Sequence, residues 1–329
     1  MKTYRFLGIL VAAVILPLAG CDNVEDEVPD AGNDQKVVVK FTGGWGDGSA
    51  RTVWNKNDDG FTVTWKGKND DTPEYDKVGI CIRTGGNLSI TDIKDNACYH
   101  PINSEASSPL EIEQGQEPTL QAGTYNFYSY YPYNSKNDNK SITSFDISDF
   151  WAQKQSAPDN LTHIPKYDLL WAANKKISIT EGTRPSSVNF EYDHLFSCLQ
   201  FEITNKSDGP VTIKQLTLWD TDIWVGCIRN TSLDLITGKM SNPGTPTYIT
   251  LEIENPNELK VDETQTFWMM ICPVSQKTIR LDLQGIDGKI LPSKELVTPD
   301  MKAGVNYMIK LKLTGSEKKL ELVYNNSAS

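Results

Sequence analysis

Histidine and basic residues are scarce in this sequence. The only histidines are His100, His163 and His194, and none of them forms the H-x-x-x-H or H-E-x-x-H spacing of a zinc site. Lys and Arg total 32 against 43 for Asp and Glu, so the formal net charge is -11. An acidic chain without a basic patch repels the phosphate backbone of nucleic acids. The composition therefore argues against a zinc site and against a nucleic-acid partner.

Recognisable catalytic motifs are also missing. No G-x-S-x-G segment forms a nucleophile elbow, and the glycine-rich residues 43–50 (GGWGDGSA) lack the G-x-G-x-x-G spacing of a phosphate-binding loop. The pair Asp193-His194 invites a catalytic interpretation. However, His194 lies between apolar positions, which favours a structural histidine. We therefore expect no catalytic residue, no cofactor and no enzymatic activity.

The segment NKNDDG (55–60) resembles the first half of a calcium-binding loop. The required offsets are occupied by Asn55, Asn57, Asp59 and Gly60. The twelfth position, however, is Lys66, where such a loop needs a bidentate glutamate. A hairpin turn between RTVW and FTVTW explains the segment better, so we expect no metal here.

Cysteines are few, and their spacing does not indicate a disulfide scaffold. Besides Cys21 the sequence has an odd number of them: Cys81, Cys98, Cys198, Cys227 and Cys272. An odd count without regular spacing predicts that most are buried as small hydrophobic side chains. A Cys81–Cys98 bridge stays open as an alternative.

A long apolar run occurs only at the amino terminus. Lys2 and Arg5 precede the apolar residues 6–18, a run shorter than the about 20 residues of a membrane span. Residues 18–21 read LAGC and resemble the bacterial lipobox. The resemblance implies cleavage before Cys21 and acylation of this residue, which would anchor the protein in the outer membrane. An ordinary cleaved signal with an incidental cysteine is the alternative.

The residues behind Cys21 are acidic. The stretch contains Asp22, Glu25, Asp26, Glu27 and Asp30. It cannot bury apolar surface, so it is predicted to be a disordered tether between lipid and fold. It also resembles the acidic surface-export signal of Bacteroidetes lipoproteins. We therefore divide this region into a lipoprotein signal peptide, residues 1–20, and an acidic tether, residues 21–35.

The rest of the chain has the pattern of an all-β protein. Short segments alternate apolar and polar residues between Gly, Pro, Asn and Asp clusters, for example KVVVKF (36–41), TYNFYSYYPY (124–133) and NYMIKLKL (306–313). Many short strands without interleaved helices predict antiparallel β-sandwiches. A short helix is expected near FDISDFWAQ (145–153). A composition shift predicts an N-terminal β-sandwich domain over residues 36–175 and a C-terminal one over residues 176–329.

Several segments, in order, resemble a known family. Residues 189–203, NFEYDHLFSCLQFEI, are similar to the F-x-H-x-L-x-x-L-x-F-x-I region of the fimbrillin-like lipoproteins of Bacteroidetes, which include Mfa-like and FimA-type pilins. Further matches are SARTVW…YDKVGICI (49–82), GTYNFYSYYPYN (123–134), KYDLLWAAN (166–174) and AGVNYMIKLKL (303–313). The chain departs slightly from the family. It has two residues between Phe190 and Asp193, it has Phe196-Ser197-Cys198 inside the motif, and it has Tyr75-Asp76 where the family often has Gly-Asp.

The resemblance implies two transthyretin-like β-sandwich domains in tandem and a subunit of a type V fimbria that serves cell adhesion. In that family a lipidated precursor reaches the outer membrane, and a protease cuts after a basic residue near the first strand. The groove opened in this way accepts a strand from a neighbouring subunit. By resemblance Arg51 occupies the maturation site, so assembled subunits are expected to begin at Thr52. The expected partners are other fimbrial subunits and a host or bacterial surface ligand.

The carboxyl terminus has two interpretations. Leu320, Leu322 and Tyr324 alternate, so a strand here turns three apolar side chains to one face. This segment is either the donor strand or the last strand of its own sandwich, and its short length favours the second interpretation.

An alternative function is a lipid-anchored surface module that binds glycans or host proteins. Trp45, Trp54 and Trp151 are its candidate sugar platforms, although aromatic residues in strands usually belong to the core.

Overall fold

Strands dominate the chain because β-branched and aromatic residues alternate with polar ones along most of it. The computed structural model describes residues 36–44, 55–57, 60–62, 64–70, 74–85, 92–181, 186–220, 231–241 and 248–325. The predicted signal peptide, Cys21, the acidic tether, Arg51 and Thr52 lie outside the described residues. Within them the prediction of an all-β chain is confirmed.

The strands follow in chain order. They are β1 Val37–Gly44, β2 Asn55–Asn57, β3 Gly60–Thr62, β4 Val78–Thr84, β5 Asp92–Pro101, β6 Ser107–Ile112, β7 Thr119–Leu120, β8 Gly123–Tyr131, β9 Phe145–Asp146, β10 Ala152–Gln155, β11 Leu170–Ile179, β12 Ser186–Glu191, β13 Asp193–His194, β14 Ser197–Ser207, β15 Val211–Asp220, β16 Ser232–Asp234, β17 Lys239–Met240, β18 Tyr248–Ile253, β19 Glu258–Leu259, β20 Thr264–Ile271, β21 Thr278–Gly285, β22 Lys294–Val297, β23 Asn306–Gly315 and β24 Lys319–Asn325.

The helical segments in the described part of the chain are short. They are the 3-10 turns Lys68–Asp70, Ser135–Asn137 and Ser148–Trp151 and the single α-helical turn α1, Ile164–Tyr167. The helix expected near residues 145–153 is thus a 3-10 turn between β9 and β10. Among the described helices, none has the length and hydropathy that a membrane crossing requires.

The first sheet has the strand order β12-β1-β6-β5-β4-β8-β11-β13, and β7 also pairs with β1. Its neighbours are antiparallel except for β1 and β12, which run parallel from the pair Val39–Ser186 to the pair Gly44–Glu191. The strand β1 is therefore an inner strand, although it is the first strand of the chain.

The second half of the chain supplies two more sheets, ordered β10-β18-β15-β21-β22 and β20-β14-β23-β24. In the latter, β14 and β23 run parallel over ten residue pairs from Cys198–Asn306 to Ser207–Gly315. A small sheet joins β17, β16 and β9, and β2 pairs with β3. A hairpin lies at the position predicted from NKNDDG, with β2 and β3 paired in the register Asn55–Thr62 and Asn57–Gly60, whereas the predicted first strand RTVW (51–54) lies outside the described residues. Asp59 lies outside the described residues, and no metal-binding cluster occurs within them.

Residues 36–329 form one compact unit that contains two hydrophobic cores. The first core includes Val39, Phe41 and Phe127, and it also takes up Val188 and Phe190 from β12. The second core lies in the later sheets, and it takes up earlier residues between 142 and 169, among them Phe145 and Ile164. Both cores thus draw on chain from either side of Lys175, and the division into domains 36–175 and 176–329 stays a prediction.

The cysteines divide into reduced thiols and one bridge. Cys81, Cys98 and Cys198 are not in disulfides, so the Cys81–Cys98 bridge does not form. Cys272, in contrast, is disulfide-bonded, and its partner lies outside the described residues. The sequence reasoning missed this bridge because an odd cysteine count does not identify a pair.

Candidate functional site

The strand β1 lies between two sets of partners. On one edge it pairs with β12 over residues 39–44. On the other edge it pairs with β6 over residues 41–44 and with β7 over residues 37–38. Because both edges are occupied, the removal of β1 would leave unpaired N–H and C=O groups on the strands that flank it. We call the site that this strand occupies the β1 bed. It consists of the flanking strands β6, β7 and β12 and of the core side chains that β1 contacts.

Alternate side chains of β1 point into the first core. Val37, Val39 and Phe41 are 3%, 0% and 1% exposed, whereas Val38 is 36% exposed. The ring of Phe41 lies 5.3 Å from Tyr99 and 5.7 Å from Phe190, measured between ring centroids. Each such side chain stabilises the fold by about 1.5–3 kcal/mol through burial.

The carboxyl end of β1 is tightly packed at its two glycines. A Cβ atom at Gly43 would lie 3.1 Å from the ring of Tyr192, and one at Gly44 would lie 2.8 Å from the Ser107 hydroxyl. The backbone also approaches closely, since Trp65 Nε1 donates to the Gly43 carbonyl at 3.0 Å. The Tyr192 amide donates to the Gly44 carbonyl at 3.0 Å. The bed therefore selects a strand of apolar–x–apolar–x–aromatic–x–Gly–Gly pattern.

Sequence reasoning placed the maturation site near the first strand but missed the bed itself. The glycine-rich segment 43–50 begins inside a strand, since Gly43 and Gly44 belong to β1. The alternation Val37-x-Val39-x-Phe41 was a usable signal, since it predicts a strand with one buried face. The pairing of β1 with β12 carried no comparable signal, because strands far apart in sequence can pair in many ways.

The carboxyl-terminal segment forms the edge strand β24, antiparallel to β23. Leu320 is opposite Leu313, and it is 2% exposed. Leu322 and Val323 are 40% and 58% exposed, because an edge strand is covered by its sheet on one side only. Tyr324 is paired with Lys310 in the backbone register.

Of the three candidate sugar-platform tryptophans, only Trp151 lies within the described residues. Trp45 and Trp54 lie outside those residues. Trp151 is half-buried, and its ring meets Tyr248 at 5.8 Å and 89° in an edge-to-face contact.

His194 has a structural environment. Its Nδ1 atom lies 2.8 Å from Oδ1 of Asp168, whose side chain is fully buried, and the histidine side chain is 7% exposed. Burial lowers the pKa of His194, but the charge and hydrogen bond of Asp168 outweigh it, so the pKa is raised. The pair lies beside Leu169 and Leu170, which belong to different cores. A substrate therefore has little access to this histidine, whose contact with Asp168 links β13 to the segment before β11.

Comparisons with known proteins agree with this architecture. The model of the family described as fimbrillin-like matches residues 54–326, which is more than half of the chain. A proposed cell adhesion protein from Bacteroides ovatus is 13% identical, with 90% of this chain and 98% of that chain covered and a TM-score of 0.53. One from Bacteroides uniformis is 15% identical, with 90% and 97% covered and a TM-score of 0.50. At these identities the structural likeness concerns the fold alone. No curated protein matches the sequence significantly.

Proposed function

Because the chain belongs to the fimbrillin-like family, which is a family of structural pilins and not of enzymes, we propose that it is a fimbrial subunit that accepts a donor strand in the β1 bed. Membership in this family supports a location in the cell-surface fimbrium and an association with other fimbrial subunits. The proposal adds how the subunit matures and assembles.

The single observation that carries the proposal is the position of β1. This strand is paired along both edges, yet it precedes Arg51 in the sequence. A cut after Arg51 would therefore place β1 on the amino-terminal fragment, which would be held in the β1 bed by non-covalent contacts. Exchange of this fragment for a strand of a neighbouring subunit restores the ladder and the core at the same time. A contact in which one copy inserts into the next does not close, so it generates a filament.

The donor strand must reproduce the pattern of β1. The carboxyl-terminal residues Leu320, Leu322 and Tyr324 have the same spacing as Val37, Val39 and Phe41. The match ends at the position of Gly43, which would receive the larger side chain of Asn326, although a Cβ atom there would already lie 3.1 Å from the ring of Tyr192. A self-donated strand therefore fits over five residues only, and a better donor has small residues at both glycine positions.

The first test of the proposal is the amino-terminal residue of the assembled subunit. We expect subunits from purified fimbriae to begin at Thr52, because cleavage after Arg51 is what frees β1. Edman sequencing measures this directly. A Cys21 terminus in the assembled subunit would contradict proteolytic opening of the bed.

Export as a lipoprotein belongs to the same proposal. The disulfide at Cys272 supports an oxidising compartment outside the cytosol. We expect Cys21→Ser to abolish acylation, because serine lacks the thiol nucleophile that receives the lipid. Incorporation of radiolabelled palmitate measures the effect, with Cys98→Ser as the control that keeps the label. If the Cys21→Ser variant incorporates as much palmitate as the wild type, the lipoprotein assignment is wrong.

Deletion of residues 318–329 separates the two interpretations of the carboxyl terminus. β24 forms a ladder with β23, and Leu320 is buried, so we expect a loss of about 2–5 kcal/mol in the free energy of unfolding. Urea denaturation measures the loss. If the truncated subunit keeps its stability but no longer polymerises, the segment is instead a donor strand.

A further inference from the structure

A cavity of about 450 Å³ opens beside β5, on residues that the maturation of the subunit does not use. Its walls come from β5, the start of β4, the end of β6 and the loop after β8, and we call it the β5 cavity. The chemically active lining residues are Lys77, Asp95, Cys98, Glu113, Tyr133 and Asp138. This volume is in the range of sites that bind small ligands or single side chains.

Two of the three lining carboxylates have cationic partners. Asp95 Oδ1 lies 2.6 Å from the guanidinium of the buried Arg83. Glu113 Oε1 lies 3.8 Å from Lys77 Nζ, and the same ammonium lies 5.0 Å from the ring centroid of Tyr75. The negative charges of Asp95 and Glu113 are therefore balanced by positive charges in or beside the wall of the cavity.

The carboxylate of Asp138 has no ion-pair partner among the described residues. The nearby lysines are engaged elsewhere. Lys136 lies 2.5 Å from Asp149, and Lys140 lies 3.1 Å from Asp146. An exposed carboxylate at the mouth of the cavity thus remains without a counter-charge.

Asp138 is held in place by neutral donors. Asn96 Nδ2 donates to its Oδ1 at 2.7 Å, and the Tyr133 hydroxyl donates to the same oxygen at 3.2 Å. Asn96 is itself fixed, because it is 3% exposed and accepts a hydrogen bond from Tyr130 at 2.8 Å. Since the carboxylate is already ordered, a ligand that pairs with it loses little conformational entropy of the protein.

The lining has an excess of negative charge and of hydrogen-bond acceptors. Burial raises the pKa of the Cys98 thiol to about 11, and the charges of Glu113 and Asp138 raise it further against the opposing effect of Lys77. Burial and the charge of Asp138 raise the pKa of Tyr133 to about 12. Both groups are therefore neutral at neutral pH. The complementary ligand carries donors and a positive charge.

We propose that the β5 cavity binds a basic side chain, the guanidinium of arginine or the ammonium of lysine, presented by a partner polypeptide. Asp138 accepts the charged group at the mouth of the cavity. Ala97 and Ile112 line the apolar part of the wall, which suits the methylene stem of such a side chain. A guanidinium or ammonium has only donors, and so it matches the surplus of carboxylate oxygens. This interaction does not depend on strand exchange in the β1 bed.

Cys98 provides the readout for a binding experiment. It lines the cavity as a reduced thiol, whereas the other described reduced thiols, Cys81 and Cys198, are fully buried. The intact precursor is treated with N-ethylmaleimide at mildly alkaline pH and low salt, with and without the peptide acetyl-Gly-Arg-Gly-amide. We expect the peptide at saturation to slow Cys98 alkylation about tenfold, as a charge-assisted contact of moderate strength would. The matched peptide with neutral citrulline is expected to give no protection.

Variants locate the contact. Asp138→Asn keeps the shape of the side chain and removes its charge, so we expect protection by the arginine peptide to be lost. Asp262→Asn is the control, because Asp262 is 72% exposed and pairs with Lys206 at a separate site. If Asp138→Asn fails to fold, the comparison of the arginine and citrulline peptides on the wild-type protein still tests whether the cavity requires a positive charge. Three results would overturn the proposal. The citrulline peptide could protect Cys98 from alkylation as well as the arginine peptide does, or N-acetylglucosamine alone could protect it. The arginine peptide could also protect Cys98 fully in the Asp138→Asn variant.

Discussion

Replacement of Arg51 with glutamine is expected to keep the chain on the cell surface as a full-length monomer that does not enter fimbriae. Arg51 is the only basic residue between Phe41 and Trp54, so its loss leaves a trypsin-like protease no site in this segment. The strand β1 then stays covalently attached and occupies the bed. Immunoblots of cell-surface fractions after mild heating measure the effect, and we expect the polymer ladder to disappear.

The matched control for this experiment is Lys56→Gln. It removes the next basic residue of the sequence but leaves Arg51 intact, so its polymer ladder is expected to equal that of the wild type. A normal ladder in the Arg51→Gln variant would show that β1 leaves by another route or does not leave at all.

The substitution Phe41→Ala is expected to destabilise the unprocessed precursor by about 3–5 kcal/mol. Phe41 is 1% exposed and lies within ring contact of Tyr99, Phe127 and Phe190. Truncation leaves a cavity in the first core, since these aromatic neighbours belong to three different strands and cannot all move inward. Urea denaturation of the precursor measures the change in the free energy of unfolding.

A second consequence follows from the position of Phe41 on the strand that is exchanged. After trypsin has cut the precursor, the fragment that carries β1 is expected to dissociate faster from the Phe41→Ala variant than from the wild type. Val38→Ala serves as the control, because Val38 is 36% exposed on the same strand and its truncation costs about 0.5 kcal/mol or less. Similar stability losses for the two variants would show that β1 contributes little to the first core.

Local features of the fold could be predicted from the sequence, because they depend on the order of neighbouring side chains. The alternation in residues 36–41 predicted the strand β1, and the polar segment at 55–60 predicted the β2–β3 hairpin. His194 could be interpreted as structural from its apolar neighbours. Its partner Asp168 could not be identified, since a carboxylate 26 positions earlier is one of many in an acidic chain.

By itself the sequence determined the all-β class and the family, because both are expressed in short motifs whose side chains alternate along single strands. Only the tertiary structure decided that β1 pairs with β12 and becomes an inner strand, that Cys272 is bridged, and that Asn96 and Tyr133 hold Asp138 at a cavity. The physical reason is that the alternation of apolar and polar residues predicts which face of a strand is buried, but it does not predict which strand lies beside it. That choice depends on the packing of the whole core, in which contacts between residues far apart in sequence compete with one another.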